Sequence, residues 1–203
     1  MSRMEYLYRR MPAKRPPRAP GQGPFRRFRR LGPWRERFVL SNGREVVLRP
    51  IEPADAAALR EGFGVLTAEE VRMRFLHPLK ELPPDMADQL TQVDASRGMA
   101  LVVGEPLPPG QALIGAVVRA SIHPEDRSAE YAILVARPLA NLGLGTYLLK
   151  KLMTWARRRK LARVWGDVLV ENAAMLRIAD RLGFQREYVP GESGIVRISK
   201  PLR

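Results

Sequence analysis

Two stretches carry residue types that chemistry can use. The first is Leu142-Gly143-Leu144-Gly145-Thr146. It lies between an apolar run at 128–135 and a segment whose Leu148, Leu149, Leu152, Met153, Trp155 and Ala156 recur at helical spacing. A strand that feeds a glycine turn at a helix start leaves backbone N–H groups without acceptors at the positive end of the helix dipole. Such a turn is an anion site with phosphate as its usual guest, or else simple steric relief for the chain. It is not a P-loop, because no Gly-Lys-Ser/Thr follows, and Leu148 stands where a dinucleotide fingerprint needs its third glycine. The second group is the acids Glu130, Asp167 and Glu171. Glu130 shares a parity with Ala132 and Leu134 in a run whose two faces are both mostly apolar, where a carboxylate is costly unless paired or used. Asp167 sits in a second run, 163–169, as a second acid or as an arginine's partner. Glu171-Asn172 stand at a helix entry, where Asn172 suits an N-cap.

Composition narrows the classes. A chain of 203 residues, 45% hydrophobic, builds one domain with a substantial core. The absence of cysteine excludes disulfides, thiolate metal sites and a cysteine nucleophile. His77 and His123 lack metal-ligand spacing, so no metal is expected. No apolar run approaches a membrane span, and the basic N-terminus lacks a secretory core, so no membrane partner and a cytoplasmic location are expected. Twelve Lys/Arg against two acids fall in residues 1–37, which holds ten of the net fourteen positive charges. Residues 1–36, rich in Arg, Pro and Gly, are expected to be a flexible basic arm ahead of a folded domain at 37–203. Phe25, Phe28, Leu31 and Trp34 interleave with Arg26, Arg27, Arg29 and Arg30; this pattern either contacts nucleic acid or acidic surfaces or docks on its own domain.

The positioning elements follow in order. Asn42-Gly43 between 37–41 and 44–50 predicts a hairpin. Helices are expected at 54–63, from the capping box Thr67-Ala68-Glu69-Glu70 through Phe75, and at 83–92. Strands are expected at 99–103, 112–120, 128–135 and 163–169, then a helix at 173–182 and a closing hairpin around Pro190-Gly191. The fold class is α/β: a mixed, mostly antiparallel sheet with helices on both faces.

The turn resembles the acyl-CoA-binding motif Q/R-x-x-G-x-G/A of the GNAT N-acetyltransferases, reading here Ala140-Asn141-Leu142-Gly143-Leu144-Gly145, with Ala140 replacing the usual Gln or Arg. The run "EN…ML…A…RLGF" from Glu171 to Phe184 resembles that family's next strand–helix unit. "AEYA", "GLG", "GDVL.EN..ML" and "GIVR" resemble bacterial protein lysine acetyltransferases that modify acyl-CoA synthetases. The resemblance implies acetyl-CoA as cosubstrate, with Leu142, Gly143, Leu144, Gly145 and Thr146 at its pyrophosphate. It also implies Ile133, Leu134 and Val135 along its pantetheine arm, and Asn172 as a further contact. Transfer to an amine needs a base, since a lysine ammonium of pKa about 10.4 cannot attack. Glu130 is the expected base, in an apolar setting that would raise its pKa; Asp167 is the alternative. Arg72, Arg74 and Phe75 either line the acceptor side or form a basic surface. Ala179 stands where many members carry a general-acid Tyr. A protein lysine, for example on an acyl-CoA synthetase, is the expected acceptor. A small amine, a protein N-terminus, and a non-catalytic acyl-CoA-binding regulator with a nucleic-acid-binding arm are the other readings.

Overall fold

In the computed structural model, which describes residues 25–202, the strands are β1 Phe25–Gly32, β2 Arg35–Leu40, β3 Glu45–Pro50, β4 Gly98–Gly104, β5 Ile114–His123, β6 Ser128–Val135, β7 Arg163–Leu169, β8 Gln185–Tyr188 and β9 Ile195–Pro201. The helices are α1 Ala56–Phe63, α2 Ala68–Phe75, α3 Pro84–Thr91, α4 Leu144–Arg158 and α5 Ala173–Arg181. One sheet runs β1-β2-β3-β4-β5-β6-β7-β9-β8. Its one parallel pair is β6 with β7.

Strand parity explains why helices cover both faces. β4 is buried at every position, so its alternating side chains enter two cores. Met99, Leu101 and Val103 join a large core that includes Ala116, Val118, Leu148, Leu149 and Leu152, under α4. Ala100 and Val102 join Ile51, Ala58 and Ile114 on the opposite face, under α1. Beyond that face, α1 to α3 share a further cluster of Phe63, Val71, Leu82 and Ala87.

The expected helices and central strands are present. The β2–β3 turn has Gly43 at φ 86°, and the Arg44 amide donates to the Asn42 side chain at 3.1 Å. α2 carries the full capping box, Thr67 accepting from the Glu70 amide and Glu70 from the Thr67 amide. The main helix starts earlier than its apolar spacing indicates, at Leu144, with Gly143 as its cap at φ 86°.

The expected arm boundary at 36/37 is wrong. β1 pairs with β2 through six registered positions, so the sheet begins at Phe25. Residues 1–24, the rest of the expected arm, lie outside the described residues. Main-chain pairing to β2 satisfies the backbone of an Arg-rich strand whatever its side chains bury. Trp34 packs against the large core with the Arg158 guanidinium 5.3 Å from its ring centroid. Glu36 is buried and accepts from the Tyr147 hydroxyl and the Lys151 ammonium of α4.

A second buried charge fixes the β3–α1 corner. Arg49 and Asp55 are 3% and 0% exposed and meet in two hydrogen bonds of 2.6 and 2.8 Å. The Glu52 and Gly110 amides also donate to Asp55. Burial pushes the Asp55 carboxyl up, but Arg49 and the two amides outweigh it and hold it below the usual aspartate range. Asp55→Ala leaves Arg49 buried without its partner and is expected to cost about 3–5 kcal/mol in urea denaturation; a loss under about 1 kcal/mol would contradict this. Because the folded value is the lower one, the Asp55 contribution is present above the ordinary aspartate pKa. It fades as pH falls through the depressed value, and the acid limb of wild-type stability is steeper than that of Asp55→Ala.

Candidate active site

β6 and β7 pair at only three positions, Ser128↔Arg163, Ala129↔Val164 and Glu130↔Trp165, and then diverge. On its other side β6 stays paired with β5 up to Ala116↔Val135. The point of divergence is tight: a Cβ on Gly166 would lie 2.7 Å from the Tyr131 carbonyl oxygen and 3.3 Å from its ring. Glycine there lets β7 approach before it turns away.

Backbone direction alternates along a strand. The Ala136 amide donates to the Gly115 carbonyl at 2.9 Å, toward β5. By parity Leu134 and Ala132 also point their main chain toward β5. Tyr131, Ile133 and Val135 point theirs the other way, which agrees with the Tyr131 oxygen facing Gly166. Past the divergence, therefore, Ile133 and Val135 turn main-chain donors and acceptors into a cleft with no strand beside them. Leu134 contributes its side chain instead.

That cleft, about 390 Å³, is lined by Ile133, Leu134 and Val135 from β6, Gly145 from α4, and Asn172, Met175 and Ile178 around α5. The first intrahelical bond of α4 is from the Tyr147 amide to the Gly143 carbonyl, at 3.1 Å. The amides of Leu144, Gly145 and Thr146 precede it and have no acceptor within the helix. Asn141 and Gly143 take positive φ, 60° and 86°, to bring the chain into this turn. A Cβ on Gly145 would stand 3.0 Å from the Ile178 side chain, so this glycine also permits the approach of α5. Asn172 caps α5, accepting from the Met175 amide at 3.0 Å, and lines the cleft as well.

α2 closes the remaining wall. The Arg137 amide donates to Glu70 at 2.9 Å, its guanidinium donates to Glu69 at 3.1 Å, and Arg72 pairs with Glu171 across the cleft. Glu171 is thus an ion-pair partner. Asp167 is bound twice by Arg197, at 2.8 Å each, directly across the β7–β9 ladder; it is the structural pair that was its other reading.

Glu130 differs from expectation. Its side chain is 50% exposed, and its surroundings hold two cations, Arg74 and Arg119, beside the apolar Phe75, Met86 and Leu90. It lines a second hollow of about 330 Å³ with Arg74, Phe75, Gln89, Arg119 and Ser121, and its carboxylate lies 3.6 Å from His123 Nε2. β5 brings Arg119 and Ser121 to this face and α2 brings Arg74, so the setting depends on contacts distant in sequence. Arg74 lines both hollows, which lie along the same strand. Arg119 and Gln89 were missed; Arg119 lies among Val117, Val118 and Ala120, where one charged residue reads as a solvent-facing strand position.

A model of the GNAT acetyltransferase domain matches residues 45–185. The chain belongs to the GNAT family of acetyltransferases. It is 30% identical to Acetyltransferase PA5475 of Pseudomonas aeruginosa over 156 residues, 76% of this chain and 82% of that protein. The GNAT domain of S. lividans PAT superposes with a TM-score of 0.71 at 26% identity, covering 83% of this chain and 97% of that one. The spermidine N-acetyltransferase of Vibrio cholerae, solved with CoA and spermine, shares the fold, with a TM-score of 0.60 at 18% identity over 77% of this chain and 95% of that one. The chain is therefore an acetyltransferase, and an adjacent pair of hollows is what two-substrate transfer requires. Among the described residues no helix is long and apolar enough to cross a membrane.

The α4 start offers a direct test. Thr146→Glu puts a carboxylate in the first turn, where the dipole favours it by about 0.3–1 kcal/mol, so the melting temperature should hold or rise. The same charge opposes a phosphate at those amides by about 1–4 kcal/mol, and calorimetry should show acetyl-CoA binding weakened about tenfold or more. Unchanged affinity would remove the α4 start from the donor site.

Proposed function

We propose that this enzyme transfers the acetyl group of acetyl-CoA to the ε-amine of a protein lysine, with Glu130 as general base. The observation that carries the reading is that Glu130 stands in the open hollow next to the β6 cleft, on the strand that borders both. The amides of Leu144, Gly145 and Thr146 receive the pyrophosphate, with Leu142 and Gly143 shaping the turn. Ile133 and Val135 pair through their free main chain with the amides of the pantetheine arm, as a missing strand would. Leu134 packs against it, and Asn172 borders it.

In the acceptor hollow Glu130 takes a proton from the ammonium, and the freed amine attacks the thioester carbon. A strand amide preorganised toward the cleft stabilises the developing oxyanion. The C–N bond forms, the C–S bond breaks, CoA departs as its thiolate, and the second proton shed by the new amide nitrogen neutralises that thiolate. A thiol of pKa about 8.5 leaves as thiolate, so Ala179, buried on α5, need not be an acid.

Support for a protein acceptor comes from the sequence motifs that resemble protein lysine acetyltransferases and from the exposure of Glu130 in its hollow, which admits a side chain from a macromolecule. The sequence resemblance favours acyl-CoA synthetases as the lysine bearers. A polyamine acceptor is disfavoured, because Arg74 and Arg119 repel a polycation.

Glu130→Gln keeps the shape and removes the proton acceptor. Steady-state turnover on a lysine peptide should fall about 10²–10⁴-fold, with acetyl-CoA affinity within about twofold of wild type. Near wild-type turnover with an unaltered pH profile would refute the base assignment.

A further inference from the structure

The acceptor hollow holds two guanidiniums with no acceptor of their own. Around it the other arginines are matched: Arg72 with Glu171, Arg137 with Glu69, Arg197 with Asp167. Arg74 and Arg119 are partly buried, and among the described residues neither has a hydrogen bond or ion pair. Burial, together with the like charge of Arg119, pushes Arg74 down to about 10, and Glu130 only partly offsets this. Burial also lowers Arg119. Arg74 lies over the Phe75 ring, 4.8 Å from its centroid, a contact that leaves its N–H donors open. Guanidiniums kept partly buried without a hydrogen-bond acceptor cost stability.

Their placement is specific. The register sets Ser121 opposite Glu130 and Arg119 opposite Ala132. Arg119 therefore lies one diagonal step from Glu130 on the same face, about 7–8 Å along the sheet. Arg74 reaches the same hollow from α2. Two cations against one carboxylate leave the hollow positive. A lone ammonium is repelled from it, whereas an ammonium accompanied by its own carboxylate is not. A planar guanidinium also matches a carboxylate's two oxygens.

We propose that Arg74 and Arg119 form a carboxylate-binding site in the acceptor hollow, so that the amine acetylated beside Glu130 carries an acidic group close to it. On the lysine reading, on which this rests, that group is a Glu or Asp side chain near the target lysine.

The test uses the full chain and paired acceptors. One arm is a lysine peptide with Glu or Gln at each of the two positions on either side of the lysine. The other is 6-aminohexanoate against its amide. Wild-type kcat/KM should favour the carboxylate member by about tenfold or more in at least one pair. That ratio should collapse toward one in Arg119→Gln, while the melting temperature of the variant does not fall; Arg74→Gln repeats the measurement should Arg119→Gln fail to fold. Ratios near one in every wild-type pair would overturn the site. So would an Arg119-dependent preference for succinyl-CoA over acetyl-CoA, which would put the carboxylate on the donor. Acetylation confined to 6-aminohexanoate, with its amide rejected, would keep the carboxylate site and remove the lysine reading.

Discussion

The functional architecture depends on a broken pairing. β6 is a central strand, hydrogen-bonded along its whole length on the β5 side, yet β7 accompanies it for three residues only. Main-chain groups inside a protein need partners, and an interior strand edge left open is costly unless something fills it. Ile133 and Val135 present that edge. The divergence begins where Gly166 lets β7 press against Tyr131. β7 then pairs with β9 over its full length, from Arg163↔Pro201 to Leu169↔Ile195. The sheet is continuous at one end of β6 and split at the other, and the split is a slot of strand width.

Everything else around the slot follows from holding it open. α4 starts at its mouth because Asn141 and Gly143 take positive φ, and its apolar stripe is anchored under the sheet by Leu148, Leu149 and Leu152. α2 is tied to the loop after β6 by Glu69 and Glu70, and to the β7–α5 corner by Arg72. These polar ties lie on the rim, whereas the apolar contacts lie in the two cores. The rigid parts thus carry the geometry and exposed charges close the wall. The hollow around Glu130, the proposed acceptor site, is built differently: charged side chains from three elements meet there beside apolar ones.

The geometry of the proposed donor side was legible in the sequence because it is local. A glycine turn between an apolar strand and an amphipathic helix names its own geometry, and Asn172 announces itself as a cap. The acceptor side was only partly legible. Glu130 stood out as an acid in an apolar run, but its half-exposure and the two cations beside it were hidden, because Arg74 and Arg119 arrive from distant segments. β1 was hidden by composition: Arg, Pro and Gly suggest an arm, and main-chain pairing to β2 is indifferent to that. Asp167 and Glu171 could not be separated from Glu130 by spacing alone. Their arginine partners, Arg197 and Arg72, separate them.

The central claim is that the open edge of β6 receives the acetyl-CoA arm as a strand would. Residue-resolved amide hydrogen exchange with and without acetyl-CoA tests it most directly. The amides of Ile133 and Val135 should gain protection on binding, together with those of Leu144, Gly145 and Thr146, whereas Leu134, whose amide already faces β5, should change little. Equal protection of Ile133, Leu134 and Val135, or none at any of them while acetyl-CoA binds, would contradict the account.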